Sequence, residues 1–157
     1  MRRRLEEFLN YLLVERRYSE KTIQNYKIDL DLFLEFLDEN KVYSFNQVSY
    51  DLLRKYLEFL YMKEYSNKSI SRHISSLKSF FKYLSNNALI KENPTDLLSL
   101  PKAEFRLPNY LTTLELDEIL SIPNRNTTLG KRDILILEMF YSTGIRLSEL
   151  INIKISD

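Results

Sequence analysis

From Tyr141 to Leu150 the chain reads Tyr-Ser-Thr-Gly-Ile-Arg-Leu-Ser-Glu-Leu, a helix end, a glycine turn and a new helix that begins on an arginine. A guanidinium fixed by a tight turn at a helix start can grip two oxygens of one phosphate, because its planar fork presents parallel donors. Glu149 lies three residues beyond Arg146 on the same helix and offers a competing structural partner, an i,i+3 salt bridge. Spacing alone leaves both roles open.

A second anion-facing feature lies upstream. Between Tyr65 and Lys91 stand Lys68, Arg72, Lys78, Lys82 and Lys91 with no acidic residue, on a chain whose net charge is only +1. At about 100° per residue, Lys68, Arg72, Ser75, Ser79 and Lys82 share one helical face, with Ser69 and Ser76 beside them. Cations neutralise phosphate and release counterions, and serines between them permit close approach and donate hydrogen bonds. An earlier helical stretch, over 20–39, is polarised: its first half exposes Lys21, Thr22, Gln24, Asn25 and Lys27. Its second half carries Asp29, Asp31, Glu35, Asp38 and Glu39, which phosphates would repel. A duplex would therefore meet the N-terminal half, where the helix dipole also favours an anion. An ordinary solvated face is the competing reading of both surfaces.

Other chemistries are excluded by composition. There is no cysteine, so disulfides, thiolate catalysis and cysteine-ligated zinc are absent. His73 is the sole histidine and sits about 40° from the centre of an apolar stripe, as expected of a buried structural histidine. Tyr11, Tyr26, Tyr56, Tyr61 and Tyr83 fall on or beside apolar stripes and read as core. The basic start Met1–Arg4 is followed by Glu6, Glu7 and Asn10 rather than by a signal-peptide apolar region, and no apolar run is long enough for a membrane helix. The expected setting is cytoplasmic, with no membrane and no small-molecule substrate.

The elements that must hold these residues are helices. Leu5, Phe8, Leu9, Leu12 and Leu13 predict one over 4–17. Ile23, Tyr26, Leu30, Phe33 and Leu37 predict a second over 20–39, with Ser19 as its cap. After a connector over 40–48, a third spans 49–63, and a fourth opens at Ser66 with the stripe Ile70, Ile74, Leu77, Phe81 and Leu84. Asn93-Pro94 closes a four-helix unit over 1–98. Residues 99–110, with Pro101, Lys102, Arg106 and Pro108, predict an extended basic linker. A second unit, 111–157, opens on the capping box Thr112/Glu115. It continues with a helix from about Lys131 that Gly144 ends. Its apolar faces lack partners, as in the incomplete start of a domain.

These residues in this order resemble the tyrosine site-specific recombinases, the phage-integrase family, and most closely its Xer-type members. Leu5-Glu6-Glu7-Phe8-Leu9, Ser19, Thr22, Tyr26, Asp29-Leu30 and Phe33, then Ser69-Ile70-Ser71-Arg72 through Leu77–Leu84 and Asn93-Pro94, are similar to the family's N-terminal core-binding domain. Leu129–Asp133 and Thr143–Leu150 are similar to the opening of its catalytic domain. The resemblance implies an all-α, SAM-like four-helix bundle followed by the start of a catalytic domain, together clamping double-stranded DNA. It implies strand exchange through a 3'-phosphotyrosyl link, without metal or nucleotide cofactor. Arg146 would stabilise the transition-state phosphate and Glu149 would support it, with full-length recombinase protomers as possible partners.

The family's lysine, His-x-x-Arg box and nucleophilic tyrosine have no counterpart in these 157 residues. His73 is followed by Ile74-Ser75-Ser76, and Tyr141 precedes the arginine box. The expectation is a DNA-binding chain that does not cleave alone. The alternatives are a short regulatory protein competing with a full-length recombinase, and a helical protein-interaction module.

Overall fold

A computed structural model describes residues 1–101 and 110–154. Among them every regular element is helical: α1 Arg2–Val14, α2 Glu20–Glu39, α3 Tyr50–Met62, α4 Asn67–Asn86, α5 Thr113–Ser121, α6 Thr128–Thr143 and α7 Leu147–Ile151, with a 3-10 turn at Phe45–Gln47. The chain divides into two compact units, Met1–Phe105 and Arg106–Asp157. Lys102, Arg106 and Pro108 of the expected linker lie outside the described residues.

Helix starts follow from short polar side chains that accept orphan backbone N–H groups. Ser19 Oγ accepts from Thr22 N, Ser49 Oγ from Leu52 N and Ser66 Oγ from Ser69 N. Helix ends are less usual. With only two glycines in the sequence, Lys41, Glu64 and Ala88 take left-handed φ values of 57°, 58° and 52° after α2, α3 and α4. The next residue's N–H then bonds back over the last turn: Val42 N to Leu37 O, Tyr65 N to Leu60 O and Leu89 N to Leu84 O.

The first unit's core is aromatic. Phe33 meets Tyr56 at 4.9 Å between ring centroids, Phe8 meets Phe80 at 5.2 Å, and Phe45 meets Phe80 at 5.1 Å. Phe8, Phe33, Tyr56, Phe80 and Phe81 are all fully buried, and removing one such ring costs about 3–5 kcal/mol. Phe45 reaches this core because Ser44 and Gln47 close a capping box around its 3-10 turn, in a stretch where the sequence predicts only a connector. Tyr61 departs from expectation: it is 51% exposed on the last turn of α3.

The order of contacts fixes helix directions. Arg2 pairs with Asp31 and Phe8 packs on Tyr26, so α1 and α2 run antiparallel. Asn25 and Asp29 touch Arg72, Asp29 touches Ser76, and Phe33 touches Phe81, so α2 and α4 run parallel. Their serine-capped starts therefore share one end of the bundle.

In the second unit the Thr112/Glu115 capping box forms in full. Helix α6 starts at Thr128, three residues before the expected start at Lys131, because Thr127 Oγ1 accepts from Gly130 N. Gly130 is buried against the α5–α6 turn, where an added Cβ would stand 1.9 Å from Asn124 O. Leu114, Ile122, Leu129, Leu135, Tyr141, Leu147 and Ile151 are exposed.

Two substitutions test these backbone arguments. Ala88→Gly should raise the urea-unfolding stability of the first unit by about 0.5–1 kcal/mol, the left-handed penalty less glycine's extra chain entropy. Gly130→Ala should speed amide exchange throughout α5 and α6, since the clash is with backbone that no rotamer change relieves. Exchange at the unaltered rate would show that the turn yields freely.

Candidate nucleic-acid interface

Parallel α2 and α4 present their first turns together, placing Lys21 on α2 and Lys68 on α4 at the same end of the bundle. Lys21, Gln24, Lys27, Lys68, Ser75 and Lys82 are exposed. Among the described residues these four lysines make no ion pair, whereas Arg3 and Arg4 are neutralised by Glu7 and Arg2 approaches Asp31. Thr22 and Ser69 are half-buried, with hydroxyls spent on the caps: Thr22 Oγ1 lies 2.8 Å from Ser19 Oγ, and Ser69 Oγ 3.0 Å from Ser66 Oγ. Ser75 turns its hydroxyl back onto Ser71 O at 2.9 Å. Ser79 and Lys82 line a cavity of about 360 Å³ with Tyr11, Tyr18 and Arg16, and Arg16 is a cation outside the two helix faces that the sequence points to.

Two assignments change. Ser76 does not belong to the exposed face: it is 3% exposed, and its hydroxyl donates to Asp29 Oδ2 at 2.7 Å. Its position about 80° from Lys68 around α4 puts it where α2 packs. Asp29, expected among the surface acids of α2, is 1% exposed.

Asp29 is the centre of a buried polar cluster. Arg72 Nη1 lies 2.6 Å from Asp29 Oδ1 and also donates to Asn25 O at 3.5 Å. His73, 1% exposed, places Nε2 at 3.4 Å from Asp29 Oδ1 and Nδ1 at 3.2 Å from the Tyr56 hydroxyl. Neither Asp29 Oδ1 nor His73 Nε2 makes an aligned hydrogen bond, so their contacts are chiefly electrostatic. A neutral imidazole protonated on Nε2 suits both partners: it turns a proton towards Asp29 and accepts from Tyr56. Desolvation lowers the His73 pKa; Asp29 opposes the shift and Arg72 adds to it. Burial, and next the Asp29 charge, push the Tyr56 phenol far above its ordinary value. Both the only histidine and this tyrosine are thus held uncharged inside the bundle.

Arg146 lies in the second unit. It precedes α7, with Nη1 2.8 Å from Glu149 Oε1 and its own backbone N–H 2.9 Å from Glu149 Oε2. The backbone N–H and then the guanidinium hold the Glu149 carboxyl below its usual range. Gly144, at φ 64°, ends α6 two residues earlier. The salt bridge and the anion clamp are compatible: the Arg146 side chain is 80% exposed, and only one of its nitrogens is engaged by Glu149. The described residues hold no cluster of His, Cys, Asp and Glu suited to a metal ion, and no helix among them is long and apolar enough to cross a membrane.

Acid sensitivity follows from His73. The unfolded chain binds its proton near the ordinary value of 6.5, while the folded chain binds it at lower pH. Between those values the unfolded state carries more protons, so stability falls on acidification below 6.5 and is flat with respect to this group above it. In urea titrations His73→Gln should remove the decline across that window; an undiminished decline would assign it to other groups.

Residues 5–87, which span α1 to α4, match the family described as Phage integrase, N-terminal SAM-like domain. Tyrosine recombinase XerC of Anoxybacillus flavithermus is 41% identical over 152 residues, covering 97% of this chain and 51% of that protein. The XerC of Herpetosiphon aurantiacus is 40% identical over 158 residues, 100% of this chain and 52% of its own length. That of Bacillus subtilis is 39% identical over 150 residues, 96% and 49%. A crystal structure of XerA recombinase superposes with a TM-score of 0.51 at 26% identity, covering 99% of this chain and 51% of that one. The chain spans about half the length of the curated relatives it matches, and with their N-terminal SAM-like domain built from α1 to α4 it belongs to the phage-integrase family of tyrosine recombinases.

Proposed function

We propose that these residues are the DNA-holding part of a tyrosine recombinase acting in DNA recombination. The first unit grips duplex DNA at a recombination half-site through the N-terminal half of α2 and the exposed face of α4. The observation that carries this reading is the shared end of the parallel α2 and α4, where two helix starts and the unpaired Lys21 and Lys68 coincide. Lys82 extends the cationic face along α4, about 21 Å from Lys68 at 1.5 Å per residue. Long cations on a helix with a positive dipole end attract phosphate without requiring a particular base. Arg146 of the second unit serves the scissile phosphate, with Glu149 holding its side chain by one nitrogen and leaving the other donors for nonbridging oxygens.

A general acid is needed at the leaving oxygen, and the one histidine, sealed between Asp29 and Tyr56, is not placed to be that acid. With no counterpart of the family's lysine, His-x-x-Arg box and nucleophilic tyrosine among these 157 residues, our reading is that they bind without cutting.

Affinity for a duplex of about twenty base pairs, measured against salt concentration, tests the footprint. Replacing Lys21, Lys68 and Lys82 by alanine together should weaken binding and reduce the log–log salt slope by about 2.7, close to 0.9 for each phosphate no longer neutralised. An unchanged slope would place the duplex on another surface. A nicked suicide duplex should give no covalent adduct with the purified chain, and an adduct would show that the reacting groups are all present.

A further inference from the structure

Arg72 differs from every other cation on the α4 face. Among the described residues the lysines around it make no ion pair, but its guanidinium lies 2.6 Å from a carboxylate that is itself 1% exposed. Asp29 is in turn fixed by Ser76, which donates to its second oxygen at 2.7 Å, and faces the neutral His73. Water cannot screen the pair from the Asp29 side, and the two charges cancel. A neutral pair releases few counterions, so it is poorly suited to the phosphate neutralisation that the neighbouring lysines perform. It is well suited to a different task. Arg72 Nη1 is occupied by Asp29 and the Asn25 carbonyl, while Nη2 and Nε have no partner among the described residues, on a side chain 40% exposed. A guanidinium already immobilised loses little further freedom on binding. The serines Ser75 and Ser79 on the same side let the helix come close.

From this geometry, and resting on the DNA-binding reading above, we infer that Arg72 is a specificity-determining residue that reads a guanine edge in the major groove, and that Asp29 is its positioning residue. Guanine presents O6 and N7 as paired acceptors, the pattern that a held arginine fork matches. The lysines supply affinity and Arg72 supplies choice.

The test uses the 157-residue chain and a random-sequence duplex library, followed by salt titrations on the enriched duplex and on a scrambled one. The wild-type chain should enrich a site with at least one strongly preferred guanine. Arg72→Lys keeps the ion pair but loses the fork, and should lower discrimination at that guanine by about 5- to 150-fold, the range corresponding to one bidentate base contact. D29N/R72M keeps the net charge; it should lose the same discrimination while leaving the salt slope on scrambled duplex unchanged. Asp29→Asn alone frees the guanidinium and adds one positive charge. It should bind scrambled duplex more tightly, with a slope steeper by about 0.9, and discriminate less.

A slope that drops by about 0.9 in D29N/R72M would make Arg72 a neutraliser of phosphate and overturn the inference. Discrimination retained in Arg72→Lys would overturn it too, as would a wild-type chain that binds with normal salt dependence yet enriches no guanine. These outcomes leave the DNA-binding reading standing, whereas salt-independent or absent binding by the wild-type chain would remove that reading and this inference together. Circular dichroism and urea midpoints on each variant separate lost reading from lost fold, and Arg72→Lys, which retains the buried charge balance, carries the test if the Asp29 variants unfold.

Discussion

A carboxylate without water must be given partners, and the first unit is arranged around doing so for Asp29. Burying an isolated charge is prohibitively costly, and removing one member of a fully buried pair costs about 3–5 kcal/mol, a figure that the half-exposed Arg72 places as an upper bound here. The partners come from α4: Arg72 at 2.6 Å, Ser76 at 2.7 Å and His73 at 3.4 Å. Their spacing on α4 allows one register and one direction against α2. Apolar rings would tolerate sliding by a fraction of a turn, but an ion pair and a hydroxyl bond to opposite oxygens of one carboxylate would not. The shared end of the two capped helices, on which the cationic surface depends, is a consequence.

Around that fixed point the aromatic packing supplies bulk stability. Phe33 lies one turn beyond Asp29 and packs in turn on Tyr56 and Phe81. Tyr56 closes the circuit by meeting the far side of His73. Polar specificity and apolar burial thus alternate along a single seam, and the unpaired cations are left on the outside. The second unit is organised differently: its described residues hold together through caps and the close approach at Gly130, and none of their large apolar side chains is fully buried.

Much of this is legible in the sequence where one residue type has one strong local use. Ser19, Ser66 and the Thr112/Glu115 pair mark helix starts, and Gly144 marks an end, because capping chemistry is local. The range of α2 follows from its stripe. What escapes the sequence is non-local. Asp29 reads as a surface acid although it lies only about 40° around the helix from Phe33; the signal is present, but nothing nearby in sequence reveals the arginine on α4 that makes its burial tolerable. Ser76 is misassigned for the same reason, since its face is decided by which helix packs there. Tyr61 is apolar by type and exposed by position at a helix end. Helix starts can also be masked by ambiguity: Thr127 and Thr128 both can cap, and only the bond to Gly130 N identifies Thr127.

The separation of Asp29 from its partners also has a temporal meaning. Ser76 stands 47 residues after Asp29, and Arg72 and His73 come from the same later helix. Until α4 is made, the Asp29 carboxylate has none of its α4 partners and stays accessible to water. The polar seam of α2 is thus the part of the unit whose final packing waits on the last of the four helices.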